Sequence, residues 1–141
     1  MGLFSKLGGK DYPALSSDSA AAEQLANMQA GLKDLIEEIP DKLEVIPGND
    51  SAYVFIGKPP KKFGVAWVDD EGHVGKLHTL VAEQGVQPAV VQGISEELRV
   101  AYEKNQAAER FKTDIEGKEV VVTPCAELRN DVAEIIGKVL N

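Results

Sequence analysis

Few residues in this 141-residue chain could do chemistry. The imidazoles are His73 and His78, and the one thiol is Cys125. A five-residue step sends two side chains to opposite faces of a strand, and sets them about 140° apart on a helix. His73 and His78 could therefore share a metal ion only if the chain were distorted, and no metal site is assigned. Cys125 follows Thr123-Pro124, which suit the opening of a last helix, so it falls where the helix dipole favours a thiolate. No second cysteine is present to resolve an oxidised one. The plainer expectation is a small apolar residue filling a strand–helix corner.

Asp69, Asp70 and Glu71 cluster as in a calcium loop, but the run stops at Gly72 without an EF-hand's further oxygen ligands and distal glutamate. It is expected to be a solvated turn, and Glu37-Glu38 and Glu96-Glu97 to be wet helix faces. Gly-Lys pairs begin at Gly9, Gly57, Gly75, Gly117 and Gly137, and none has the glycine five positions earlier that a phosphate loop needs. Dinucleotide-binding, nucleophile-elbow and zinc-protease patterns are also missing. No cofactor is expected, and the balance leans away from an enzyme.

One constellation stands out. If Lys58-Pro59-Pro60-Lys61-Lys62 is the loop of a hairpin in which Gly57 pairs with Phe63, then Phe55 faces Val65 and Tyr53 faces Trp67, all on one side of the sheet. If the acidic turn then joins Val68 to His73, the same face gains Val74, Lys76 and His78, with His78 beside Phe63. That face holds half of the chain's eight aromatic residues, a lysine and a histidine; the opposite face is small and aliphatic. Aromatic surface mixed with cations suits recognition, and prolines stiffen the lysine loop so that ordering it costs less entropy. The competing expectation is that the first helix covers the aromatic face and the lysines keep the hairpin soluble. A slip of one residue in either hairpin would scatter the grouping.

The elements that position these residues follow from periodicity. Ser17-Asp18-Ser19 can cap a helix carrying Leu25, Met28, Leu32, Leu35 and Ile39 on one stripe, and Pro40 ends it. Leu43–Ile46, Ser51–Gly57, Phe63–Val68 and His73–His78 form a four-strand meander with short turns. Thr79–Gln84 makes a helical turn ending at Gly85, and a longer helix runs from Pro88 to about Phe111. A hairpin of Lys112–Glu116 and Glu119–Thr123 precedes the last helix, whose inner stripe is Leu128, Val132, Ile135, Ile136 and Val139. The expected class is α+β: a six-stranded, mostly antiparallel sheet, a meander plus a hairpin, with three helices packed largely on one side. The order is α-ββββ-α-ββ-α, with residues 1–17 a flexible lead-in and 18–141 a single domain.

Composition bounds the function. Acidic residues outnumber basic ones by 23 to 15, giving a net charge of −8 that disfavours phosphate backbones, so no nucleic-acid partner is expected. The longest apolar run, Ala52–Ile56, is far too short for a transmembrane segment. The lone cysteine and the absence of a secretion signal suit the cytoplasm. The expectation is a noncatalytic binding or accessory domain that recognises a protein partner or small anionic ligand through Tyr53, Lys58, Lys61, Lys62, Trp67, Lys76 and His78. One alternative is a small enzyme acting on an anionic substrate with His78 as general acid or base. Another is a structural homodimer that buries the aromatic face.

Overall fold

The computed structural model describes residues 12–140. Ser19 caps the first helix by accepting the Ala22 N–H at 3.1 Å. The amphipathic stripe that follows is divided at Met28 into α1 (Ala20–Asn27) and α2 (Gln29–Glu38). Next come β1 (Leu43–Ile46), β2 (Ser51–Lys58), β3 (Lys62–Asp69) and β4 (Val74–Lys76). The chain then forms α3 (Leu77–Gln84), α4 (Pro88–Lys104), β5 (Phe111–Ile115), β6 (Lys118–Val122) and α5 (Ala126–Leu140). The class is α+β, as expected. Among the described residues there are five helices rather than three. Two corrections account for the difference: the break at Met28, and a full helix where a single turn was expected after β4.

The six strands form one sheet in the order β4-β3-β2-β1-β6-β5. Every pairing is antiparallel except that of β1 with β6, which is parallel and joins the meander to the hairpin. The outer edge of β5 is covered by an extended segment, with Leu15 N–H donating to Lys112 O at 2.8 Å and Lys112 N–H to Pro13 O at 2.9 Å.

Helices cover both faces of the sheet, not mainly one. On one side Ala52, Val54, Ala66 and Val68 pack with Leu25, Met28, Leu32 and Leu35 of the first two helices. The small side chains let α2 approach until a Cβ placed on Gly31 would lie 3.0 Å from Val68 Cβ. On the other side Phe55, Val65 and Ile46 pack with Ile94, Leu98 and Tyr102 of α4 and with Leu128, Val132 and Ile136 of α5. The aromatic face is thus covered by α3, α4 and α5 rather than by the first helix. The surface that a homodimer was expected to bury is already occupied by the chain's own helices. No helix among the described residues is long and apolar enough to cross a membrane.

Candidate functional site

The β2–β3 hairpin has the expected register: Gly57 pairs with Phe63, Phe55 with Val65 and Tyr53 with Trp67. Lys58 and Lys62 close its tip, and Lys61 N–H donates to Lys58 O at 3.2 Å. The side chains of Lys58, Lys61 and Lys62 are exposed, and none forms an ion pair among the described residues. Most of the other long cations differ. Lys76 pairs with Glu38, Lys104 with Asp131, Lys138 with Glu97, Arg99 with Glu96 and Glu103, and Arg110 with Glu44. Among the described residues the hairpin tip is a concentration of positive charge without ion-pair partners, on a chain with a net charge of −8.

Beside the tip lies a hollow of about 420 Å³, walled by Phe63 and Val65 of β3, by Leu77, His78 and Val81 of α3, and by Val91 of α4. That volume is in the usual range for small-molecule sites, and the wall is mostly apolar. Phe63 also borders a hollow of about 650 Å³ that reaches Lys61, and one of about 660 Å³ on the far side of the hairpin with Lys42, Lys58 and Lys62. The groove exists because β4 is three residues long. It pairs with β3 only at Ala66–Val68, after which the chain leaves the sheet as α3.

The expected site residues divide into two groups. Lys58, Lys61, Lys62 and His78 come together at this end of the hairpin. His78 arrives there on α3, however, not on a strand. Tyr53 and Trp67 lie some four residues along the strands, roughly 13 Å away, partly buried against the core on this face of the sheet. Burial raises the Tyr53 hydroxyl above its ordinary pKa, with Arg129 opposing. Lys76 is the second correction. Val68 pairs with Val74 and Ala66 with Lys76, so Val74 and Lys76 share the aliphatic face instead of the aromatic one. The acidic turn is one residue different in length from the expectation, and a one-residue slip reverses every side chain. Lys76 touches the groove rim, but its ammonium pairs with Glu38 of α2. Gly75 stands opposite Trp67, and the indole lies across it: a Cβ on Gly75 would be 2.1 Å from Trp67 Nε1.

A buried polar network was missed from the sequence. Glu44, 8% exposed, points from β1 into the aromatic-side core. Its carboxylate accepts from Tyr102 Oη at 2.6 Å, Thr123 Oγ1 at 2.5 Å and Arg110 Nε at 2.9 Å. The Arg110 guanidinium also lies 5.1 Å from the Tyr102 ring centre and donates to the carbonyls of Gln106 and Ala108. Burial, and then the Glu44 carboxylate, hold the Tyr102 hydroxyl far above its ordinary pKa. The available signal was a lone carboxylate in the otherwise apolar Leu43–Ile46 strand.

The acidic turn closes on itself. Asp69 accepts the N–H groups of Glu71 and His73, both at 2.9 Å, and His73 Nδ1 lies 2.9 Å from Asp69 Oδ2. Ligand atoms of Asp69, Glu71 and His73 fall within 4.8 Å of one another, and Asp69 and His73 already bond each other in the turn, with the Glu71 carboxylate 3.8 Å from His73 Nδ1. Cys125 is partly buried with its Sγ 3.5 Å from Asn105 Oδ1, beside a groove of about 540 Å³ that also contains Arg129. The two histidines sit on separate elements, β4's preceding turn and α3. Comparison with family models, curated proteins and solved structures finds no match for this chain.

Proposed function

We propose that the chain is a noncatalytic binding domain whose site is the open end of the β2–β3 hairpin, where an anionic partner is held by lysines and seated in an apolar groove. The observation that carries this reading is the conjunction of three lysines without an ion pair among the described residues, Lys58, Lys61 and Lys62, with the hollow walled by Phe63, Val65, Leu77 and Val81. Unpaired surface cations attract a complementary charge over about a Debye length, and a dry wall beside them adds affinity that does not depend on salt. Lys58, Lys61, Lys62 and His78 belong to this site. Tyr53 and Trp67 serve the core, and Lys76 serves an ion pair with α2.

A catalytic use of His78 receives less support. Among the described residues no carboxylate bonds its ring, a contact that often orients a catalytic imidazole. The test is an NMR titration of isotope-labelled protein with poly-L-glutamate at low salt. Amide shifts centred on Lys58–Val65 are expected, fading with added salt and lost in the Lys61→Glu/Lys62→Glu variant. Shifts spread evenly over the surface, or unchanged in that variant, would sink the reading.

A further inference from the structure

The sheet treats its two edges differently. At β5 the chain closes the edge with its own extended segment, Pro13–Leu15, which bonds to both peptide groups of Lys112. At the other end β4 covers β3 only from Ala66 to Val68, and Lys62–Val65 have no strand beyond them among the described residues. Asp69 N–H donates to His73 O on the β4 side, and peptide groups alternate sides along a strand. The backbone of Phe63, six residues back, therefore points to the same outer side, where β4 no longer reaches. An open edge of this kind is a template for another extended chain.

The surroundings select the occupant. A strand laid against Lys62–Val65 would run between β3 and the α3–α4 wall, over the groove of Phe63, Leu77, Val81 and Val91. Alternate side chains of such a strand point to one side, so every second residue would enter that groove. The lysines at the tip repel cationic segments and favour acidic ones, in a protein whose net charge is −8. A small anion would satisfy the lysines but leave the strand edge and the groove unused.

We infer that the groove takes an extended, acidic peptide segment with alternating apolar residues, which adds as a strand to the open edge of β3 at Lys62–Val65. This rests on the binding site proposed above and specifies its ligand class. Main-chain hydrogen bonds to the Phe63 peptide group give the affinity, the groove sorts the apolar side chains, and Lys58, Lys61 and Lys62 hold the carboxylates.

The test uses the full chain and three synthetic peptides: a blocked Glu-Val-Glu-Val-Glu, and the same sequence N-methylated either on its valines or on its glutamates. Methylation removes backbone donors of one parity and leaves charge and side chains intact. Expected are amide shifts along Lys62–Val65, slowed exchange of the Phe63 amide, and at least about tenfold weaker binding for one methylated isomer, the loss of roughly one hydrogen bond. Both isomers binding like the parent, with binding still lost in Lys61→Glu/Lys62→Glu, would overturn strand addition and leave the anionic groove standing. No binding by any peptide, together with no response to poly-L-glutamate, would remove both. Sedimentation showing that the chain dimerises and that dimerisation excludes the peptide would assign the edge to a second copy instead.

Discussion

Removing the Glu44 carboxylate should be among the most damaging single changes outside the apolar core. Glu44 accepts three hydrogen bonds, and the Arg110 side chain that faces it is only 5% exposed. In Glu44→Ala the guanidinium stays charged in a nearly dry site, while Tyr102 and Thr123 each lose an acceptor. Breaking a buried pair by deleting one partner costs about 3–5 kcal/mol, against a total stability of about 5–15 kcal/mol for a domain. Tyr102→Phe and Thr123→Val each delete one bond to a charged acceptor and leave the ion pair, so each should cost about 1.5–3 kcal/mol. The assay is urea denaturation at neutral pH, followed by the fluorescence of the single tryptophan, Trp67. With a slope of about 2 kcal/mol per molar urea, Glu44→Ala should lower the midpoint by about 2 M. The double change Glu44→Leu/Arg110→Leu should be less damaging than Glu44→Ala alone, because it removes the stranded charge, though the carbonyls of Gln106 and Ala108 lose a donor. A cost for Glu44→Ala below about 1 kcal/mol, or strict additivity in the double variant, would show that solvent reaches the network and would refute the argument.

Two further expectations test the packing and the electrostatics of β4 and its turn. Gly75→Ala puts a methyl group 2.1 Å from Trp67 Nε1, so the indole must leave its place over the strand. The cost should be about 1–3 kcal/mol with a red-shifted emission, and an unchanged spectrum and midpoint would mean that the ring does not rest on Gly75. His73 should titrate above its ordinary value, because the hydrogen bond and then the charge of Asp69 favour the imidazolium. The stabilisation is complete below the unfolded pKa of about 6.5 and is lost as pH rises through the raised folded value. An NMR titration should place His73 above its value in Asp69→Asn, and equal midpoints would exclude the contact in solution.

Much of this molecule follows from local pattern. Ser19 caps α1 because a hydroxyl ahead of an amphipathic stripe can accept an orphan amide, and Gly85 ends α3 with φ of 64°, a conformation that costs glycine little. The β2–β3 register follows from the alternation of Tyr53, Phe55, Phe63, Val65 and Trp67, so the lysine tip and its neighbour Phe63 are legible in the sequence. The α+β class rests on the same short-range signals.

Long-range geometry decided the rest. Nothing in the acidic turn itself dictates whether Val68 pairs with Val74 or one residue later, and the answer turns on whether Val74 gains more by joining the aliphatic core beneath α2. That choice moved Lys76 to the wrong face for binding and brought it to Glu38. His78 has the pattern of a strand end in isolation; once β4 has stopped at Lys76, a helix satisfies its backbone and brings it to the groove. The partners of Glu44 are 58, 66 and 79 residues away, and a buried carboxylate cannot be distinguished from an exposed one until tertiary packing supplies Tyr102, Arg110 and Thr123. The sequence by itself determined the α+β class, the β2–β3 register and where the positive charge gathers, but not the break at Met28, the helix that opens at Leu77 or the end of α4 at Lys104 rather than near Phe111. Only the tertiary structure decided which face each helix covers, which strand edge stays open and which charges are buried, because those depend on contacts between residues far apart in the chain.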